Sequence, residues 1–280
     1  MDIWIAPAKI NLFLHVVGWR EDGFHNLQTF FQFLEYGDEL VFYPRDDGVI
    51  RRIPLCDTTN LPAKDLSMEA AQCLQESTGT TAGVDIGIKK RFPIGAGLGG
   101  GSSDAATTLI ALNQVWNLKL DREFLFELGR SIGADVPVFI GGRSAYGEGT
   151  GDILMPFDQP EPWYCVVVPP VEVLTRRVFA DLELTGDSSR RTITDLMSDE
   201  VRNDLEFVTC RLYPIVGRCL EWLREFGDAQ MTGSGAGLFI DVPDRARGLE
   251  ILSQAPSGCD GFVARGVNRH PLAIWPQIGV

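Results

Sequence analysis

The chain has 280 residues, 45% of them hydrophobic and 22% charged, and carries a formal net charge of −13. That length suffices for two domains and a sizeable core, and the acidic balance argues against nucleic acid or an anionic membrane surface as a partner. Six cysteines without a C-x-x-C pair and three histidines offer neither zinc-ligand spacing nor a disulfide framework; they read as buried thiols of a reducing compartment. The first residues lack a charged-then-apolar leader and no apolar run approaches membrane-spanning length, so a cytoplasmic protein is expected.

Residues 2–43 read as strands. Over 9–17, Ile10, Leu12, Leu14 and Val16 share one face, while Lys9, Asn11 and His15 point the other way. Trp19 to Asn26 reads as a loop with an Asp22-Gly23 turn signal, and 27–34 as a second strand carrying Phe30, Phe31 and Phe33. Asp65 is placed to cap a helix that holds Leu66, Ala70, Ala71 and Leu74. A half-exposed strand follows, in which Val84, Ile86 and Ile88 alternate with Asp85, Gly87 and Lys89. A glycine-rich stretch leads into a helix over 103–117, with Ala105, Leu109, Leu112 and Trp116 on one face. Asp121 reads as the N-cap of a further helix ending near Gly133, and Gly133-Ala134-Asp135-Val136-Pro137 then leads into a strand at 138–140.

Pro156, Pro160 and Pro162 mark a boundary, which divides the chain into 1–157 and 158–280. The second half opens on an apolar strand at 165–168 and continues with helical patterns at 173–182 and 205–226. A strand–turn–strand unit spans 229–242 around Thr232-Gly233-Ser234-Gly235, followed by a helix at 244–254 and a strand at 261–267. Strands interleaved with helices in this order indicate an α+β protein whose second half is a ferredoxin-like sandwich.

The most informative stretch is Gly95-Ala96-Gly97-Leu98-Gly99-Gly100-Gly101, followed at once by Ser102-Ser103-Asp104. A glycine loop opening a helix brings backbone N–H groups close to an anion without side-chain interference, and the helix N-terminus adds partial positive charge. The two serines stand where N-caps belong, and the whole reads as a polyphosphate seat. Gly95, Gly97 and Gly100 satisfy the dinucleotide pattern, with Asp121 about 20 residues on, but the half-exposed strand in front is not the doubly buried run that opens such a unit. A P-loop nearly fits, yet its lysine position holds Gly101. A flexible linker would lack the flanking strand and helix patterns.

Three segments in this order resemble the motifs of the GHMP kinase superfamily: Pro7-Ala8-Lys9-Ile10-Asn11-Leu12, the stretch from Pro93 to Ala106, and Thr232-Gly233-Ser234-Gly235-Ala236. Asp22-Gly23-Phe24-His25 and Gly133-Ala134-Asp135-Val136-Pro137 are further marks, and the similarity runs from about Ala6 to Asn268. The resemblance implies a two-domain GHMP kinase fold: an ATP-binding unit of the ribosomal protein S5 domain 2-like type over 1–157 and a ferredoxin-like unit over 158–280, with the active site between them. It implies ATP and Mg²⁺, and transfer of the γ-phosphate to a hydroxyl of a cytidine diphosphate-linked methylerythritol. The partners implied are therefore small molecules, in a monomer or homodimer.

The superfamily's catalytic lysine and aspartate fall on Lys9 and Asp135. Its nucleotide segment falls on Lys90, Pro93, Ile94, Gly95, Ala96, Gly97, Leu98, Gly99, Gly100, Gly101, Ser102 and Ser103. Acceptor contacts fall on Asn11, Phe24, His25, Phe31, Phe179, Gly233 and Ser234, with His25 at a cytosine edge and Phe31 and Phe179 as its stacking pair. From the residues alone, the alternatives are a solvated lysine on a strand face for Lys9 and Lys90, a loop cap for Asp135 and core packing for the two phenylalanines. Relatives usually carry tyrosine at Phe24 and asparagine at Asp65 and Asp104. No metal ligand is assigned by the sequence. A different small-molecule kinase of the superfamily, or a non-catalytic nucleotide-binding relative, is the competing reading; Phe24-His25 argue against the first, Lys9 with Asp135 against the second.

Overall fold

A computed structural model describes residues 2–55, 65–93, 95–181, 188–198 and 202–270. Two long antiparallel strands, β1 (Trp4–Trp19) and β2 (His25–Arg45), form its spine. They are joined by the expected Asp22-Gly23 turn, where Gly23 takes a φ of 84° that a side chain would resist. β3 (Ile50–Pro54) lies parallel to β4 (Gly83–Lys89), which pairs antiparallel with the second half of β2. Between them runs α1 (Leu66–Thr78), capped by Asp65 as expected, with Ala70, Ala71 and Leu74 buried.

α2 (Gly100–Val115) packs on α1 and on the β1–β2 pair. It begins three residues earlier than the sequence pattern suggested, with Gly99 as N-cap and no side-chain cap. Ser102 and Ser103 therefore sit inside the first turn instead of capping it. α3 (Arg122–Ile132), capped by Asp121 as expected, is followed by α4 (Val136–Gly141). The strand read at 138–140 is thus a helical turn, whose apolar residues pack into the core around α2 and α3. β5 (Ala145–Gly149) returns to β2, and β6 (Ile153–Pro156) pairs with β5.

β7 (Trp163–Val168), α5 (Thr175–Phe179), α6 (Ile193–Ser198), α7 (Glu206–Leu212), α8 (Pro214–Arg224), β8 (Gln230–Met231), β9 (Leu238–Val242), α9 (Arg245–Leu252) and β10 (Asp260–Val267) follow. The pattern read as one helix at 205–226 is two, because Pro214 cannot continue α7 and opens α8 instead. The last four strands lie antiparallel in the order β10-β7-β9-β8, the arrangement expected of a ferredoxin-like sandwich.

Two features bind the halves together. Gly266 and Val267 of β10 pair with Leu34 and Phe33 of β2, so the strands form one ten-stranded network. One apolar cluster also draws on both halves, packing Ala8, Ile10, Leu34 and Leu98 with Tyr164, Val166, Phe239 and Phe262. The face of β1 read as polar is covered as well: Lys9, Asn11 and His15 are all buried. The glycine loop and the 232–235 turn lie against the first two of these, and the 202–204 segment runs beside the third.

Candidate active site

The glycine loop is held against the start of β1. Gly95, Gly97 and Gly99 take φ values of 72°, 69° and 74°, in the left-handed region that glycine tolerates. A Cβ on Gly97 would lie 2.4 Å from the Thr232 carbonyl oxygen, and one on Gly99 2.8 Å from the Phe139 ring. The loop is therefore threaded between β1, α4 and the 232–235 turn with no room for side chains. Lys9 N–H donates to the Leu98 carbonyl at 3.0 Å and Gly237 N–H to the Ala96 carbonyl at 2.9 Å. α2 begins where the loop ends, with Gly99 as its N-cap, so the positive end of its dipole favours an anion at the loop.

Beneath the loop stands the Lys9 ammonium, only 3% exposed and 3.3 Å from the Asp135 carboxylate. It also donates to Asn11 Oδ1 at 2.6 Å and to the Gly97 carbonyl at 3.1 Å. A buried ammonium is costly unless paired and hydrogen-bonded, and these three oxygens satisfy it. Asp135 is 33% exposed and stands at the start of α4, so its carboxylate links the buried lysine to the open side of the site. Asn11 N–H donates to Thr232 Oγ1 at 2.8 Å and Asn11 Nδ2 to Thr29 Oγ1 at 2.9 Å, which fixes the amide that faces Lys9. A Cβ on Gly233 would lie 3.4 Å from Asn11 Oδ1, so the 232–235 turn closes over the same place. Ser234 Oγ hydrogen-bonds Thr175 Oγ1 at 2.8 Å.

An aromatic group lies at the β1–β2 turn. The His25 ring is 4.1 Å from Trp19 and 5.2 Å from Phe179, and burial lowers its pKa below the ordinary 6.5, which keeps the imidazole neutral. Trp19, which the sequence motifs pass over, stands beside His25 together with Phe179. Phe31 packs in the core with the Lys9 ammonium 5.7 Å from its ring. Phe24 is 61% exposed.

Lys90 lies at the other end of the loop, between Asp38 and Asp104 Oδ2. Burial pushes the Asp104 carboxyl up to about 8, against the pull of Lys90 and with the repulsion of Asp38. Lys90 Nζ would lie 3.2 Å from a Cβ on Gly100, so this buried cluster backs the loop, while Asp65 is committed to capping α1 and to Arg52 at 3.1 Å. Pro93 is half-buried at the head of the loop, and Ile94 lies outside the described residues. The residues that sequence reasoning missed, Thr29, Thr175, Asn203 and Thr209, bear on the site through side-chain bonds; Thr232, inside the quoted motif, was the one with a visible signal.

A glycine-lined anion seat beside a lysine–carboxylate pair defines a small-molecule kinase of the GHMP class, and the family comparisons agree. The model of the GHMP kinases N terminal domain matches residues 65–143, and that of the GHMP kinases C terminal matches 182–261. A 4-diphosphocytidyl-2-C-methyl-D-erythritol kinase of Aromatoleum aromaticum is 49% identical over 274 residues, covering 96% of this chain and 95% of that one. The crystal structure of a 4-(cytidine 5'-diphospho)-2C-methyl-D-erythritol kinase has a TM-score of 0.79 at 32% identity, covering 95% of this chain and 99% of the other. A mevalonate kinase structure reaches 0.72 at 15% identity over 96% and 100% of the two chains, which shows the shared fold alone. This chain belongs to the GHMP kinases and, within them, to the 4-diphosphocytidyl-2-C-methyl-D-erythritol kinase family.

Proposed function

We propose that this protein transfers the γ-phosphate of ATP to the 2-hydroxyl of 4-diphosphocytidyl-2-C-methyl-D-erythritol, a step of the non-mevalonate isoprenoid pathway. The observation that carries the reading is the Lys9 ammonium, buried under the glycine loop and 3.3 Å from a partly open carboxylate, in a chain that matches such kinases along nearly its whole length.

The chemistry follows from the geometry. The glycine loop and the N-terminus of α2 hold the phosphates, and Asp135 accepts the proton of the acceptor hydroxyl. Lys9 holds that carboxylate in place at 3.3 Å and offers positive charge to the oxygens of the group in transfer. Its bonds to Asn11 and Gly97 hold it in place beforehand, so little reorganisation is needed at the moment of reaction.

Among the described residues no group of three or more His, Cys, Asp or Glu is arranged to hold a metal by protein ligands alone. That fits Mg²⁺, which is commonly carried by substrate phosphates with one or two protein oxygens. The Ser102 hydroxyl, in the first turn of α2 where the glycine loop ends, would be a protein oxygen to hold it. When bound, the ion neutralises charge on the β- and γ-phosphate oxygens.

The cytidine is assigned to His25, Trp19 and Phe179, where a neutral imidazole meets the base edge and the rings stack on its face. The units 1–157 and 158–280 are assigned to nucleotide binding and to closing the acceptor side. No described helix is long and apolar enough to cross a membrane, and we place the reaction in the cytoplasm, where ATP is available.

The test is ADP release with ATP against a panel of acceptors: the cytidine diphosphate-linked methylerythritol, free methylerythritol phosphate, mevalonate and homoserine. Turnover confined to the cytidylylated acceptor supports the reading. Comparable efficiency without the cytidine overturns the assignment of the aromatic group, because remote binding energy would then play no part in orienting the hydroxyl.

A further inference from the structure

The 232–235 turn shapes the acceptor side of the site, yet β8 and β9 pair over only two positions, Gln230 with Phe239 and Met231 with Leu238. Inside the turn, Gly235 N–H donates to the Thr232 carbonyl at 3.0 Å and Thr232 N–H to the Gly237 carbonyl at 2.9 Å. Neither bond fixes the turn against β1; there Asn11 N–H donates to Thr232 Oγ1 at 2.8 Å, a direct bond at the first residue of the turn.

A second connection, to the Gly233 carbonyl, is made by a short segment far away in sequence. Leu14 N–H donates to the Arg202 carbonyl at 3.1 Å and Asp204 N–H to the Leu14 carbonyl at 2.8 Å, so 202–204 runs alongside β1 as an isolated bridge. Asp204 Oδ2 accepts Val16 N–H at 2.8 Å and tightens the same junction. From this anchored position the Asn203 side chain, 6% exposed, reaches the turn. Its Nδ2 donates to the Met231 carbonyl at 2.8 Å and to the Gly233 carbonyl at 2.8 Å, while its Oδ1 accepts Leu205 N–H at 3.0 Å. Every polar atom of the amide is used; one proton goes to the end of β8 and the other to the turn.

We propose that Asn203 is a positioning residue for phosphoryl transfer: it registers the Gly233 turn against β1 and so fixes the wall that faces Asn11 and Lys9. The proposal rests on the kinase reading above. The physical ground is that a Cβ on Gly233 would lie 3.4 Å from Asn11 Oδ1 and 3.3 Å from the Gly97 carbonyl, and both of those oxygens accept from Lys9 Nζ. A shift of the turn therefore reaches the ammonium through one layer of atoms. Misplacement of about 1 Å at a reacting centre is enough to cost roughly 10²-fold in rate.

Two variants test this. Asn203→Ala removes both donors and leaves two buried carbonyls unpaired; Asn203→Asp keeps the shape of the side chain but, ionised, has no proton to give them. Each is expected to lower kcat by about tenfold or more, with the Kd for ATP held within about threefold, because the glycine loop keeps its bond to β1. Asn113→Ala serves as the stability control: Asn113 also makes two backbone bonds, to Leu120, but at the far end of α2. It is expected to lower the melting temperature without lowering kcat. Amide hydrogen exchange supplies a readout that needs no acceptor: Asn203→Ala should speed exchange over 231–237 and 9–13, and Asn113→Ala should leave both unchanged. If the Asn203 variants lose no more kcat than the control at a matched loss of melting temperature, or if exchange over 9–13 stays at the wild-type rate, the proposal is wrong. If the wild type itself fails to turn over the cytidylylated acceptor, the functional reading falls, and the exchange result still decides whether Asn203 registers the turn.

Discussion

At the scale of single residues, the site depends on a charge pair divided between core and solvent. Lys9 is buried with three oxygen partners, while Asp135 keeps one side open. Asp135→Asn preserves shape but cannot accept the acceptor's proton, so turnover should fall by roughly 10²-fold or more while ATP affinity is retained. Steady-state kinetics at saturating substrates check this, and near-normal turnover would remove Asp135 from the role of base. Asp104 supports a second expectation. Its carboxyl titrates near 3.8 in the ordinary state and about 8 in the fold. Between those values the folded chain holds the proton that the unfolded chain has lost, so stability falls as pH rises through that window and levels off above it. Asp104→Asn has no such proton, and its stability relative to wild type should rise steadily from pH about 4 to about 8 and then stay constant. Urea midpoints of the ligand-free proteins across that range measure it; a constant difference would show that Asp104 is ionised throughout.

At the scale of elements, the glycine loop is the part that sequence conveys best, because its requirement is local. A run of glycines at positive φ beside other backbone cannot be replaced without strain, whatever surrounds it. Gly100→Val places a branched side chain where a Cβ would already lie 2.6 Å from the Phe92 ring and 3.2 Å from Lys90 Nζ. Calorimetric titration should show ATP binding weakened far more than acceptor binding; equal loss of both would point to general damage. The helices around the loop were legible through their caps, Asp65 and Asp121, since an N-cap side chain bonds within its own first turn. α4 was misread because a short apolar run fits either a strand or a helical turn, and only its neighbours decide between them. The start of α2 was placed late for a related reason: glycine is a poor helix former, yet close packing against Phe92 and Leu66 favours it at Gly100 and Gly101.

At the scale of the whole molecule, the proline-marked boundary is bridged by structure. β10 pairs with β2 as well as β7, the 202–204 segment runs beside β1, and one apolar cluster takes residues from both halves. Separating the halves would expose that cluster and leave buried backbone groups unpaired, so the chain should unfold in one cooperative transition. Urea unfolding followed by tryptophan fluorescence and by circular dichroism should give coincident curves; two separated transitions would mean that the halves are energetically independent. The shared core also accounts for the position of the candidate site, since β1 supplies Lys9 and Asn11 from one half while the turn over them comes from the other.

The sequence by itself determined what local stereochemistry and periodicity control. Left-handed glycines, helix caps, strand alternation and the order of motifs carried the α+β class, the glycine loop with the helix it opens, and the kinase family. Only the tertiary structure decided what long-range contacts control: that Lys9 and Asn11 are buried, that Trp19 and Phe179 meet at His25, and that the Asn203 amide bonds the Gly233 carbonyl. Those outcomes depend on partners such as Asn11 and Thr232, which are 221 residues apart in the chain yet meet at 2.8 Å. The polar face of β1 carries no mark of what will cover it; the covering segments, and with them the cost of burying a charge and the oxygens that offset it, exist only once the chain has folded.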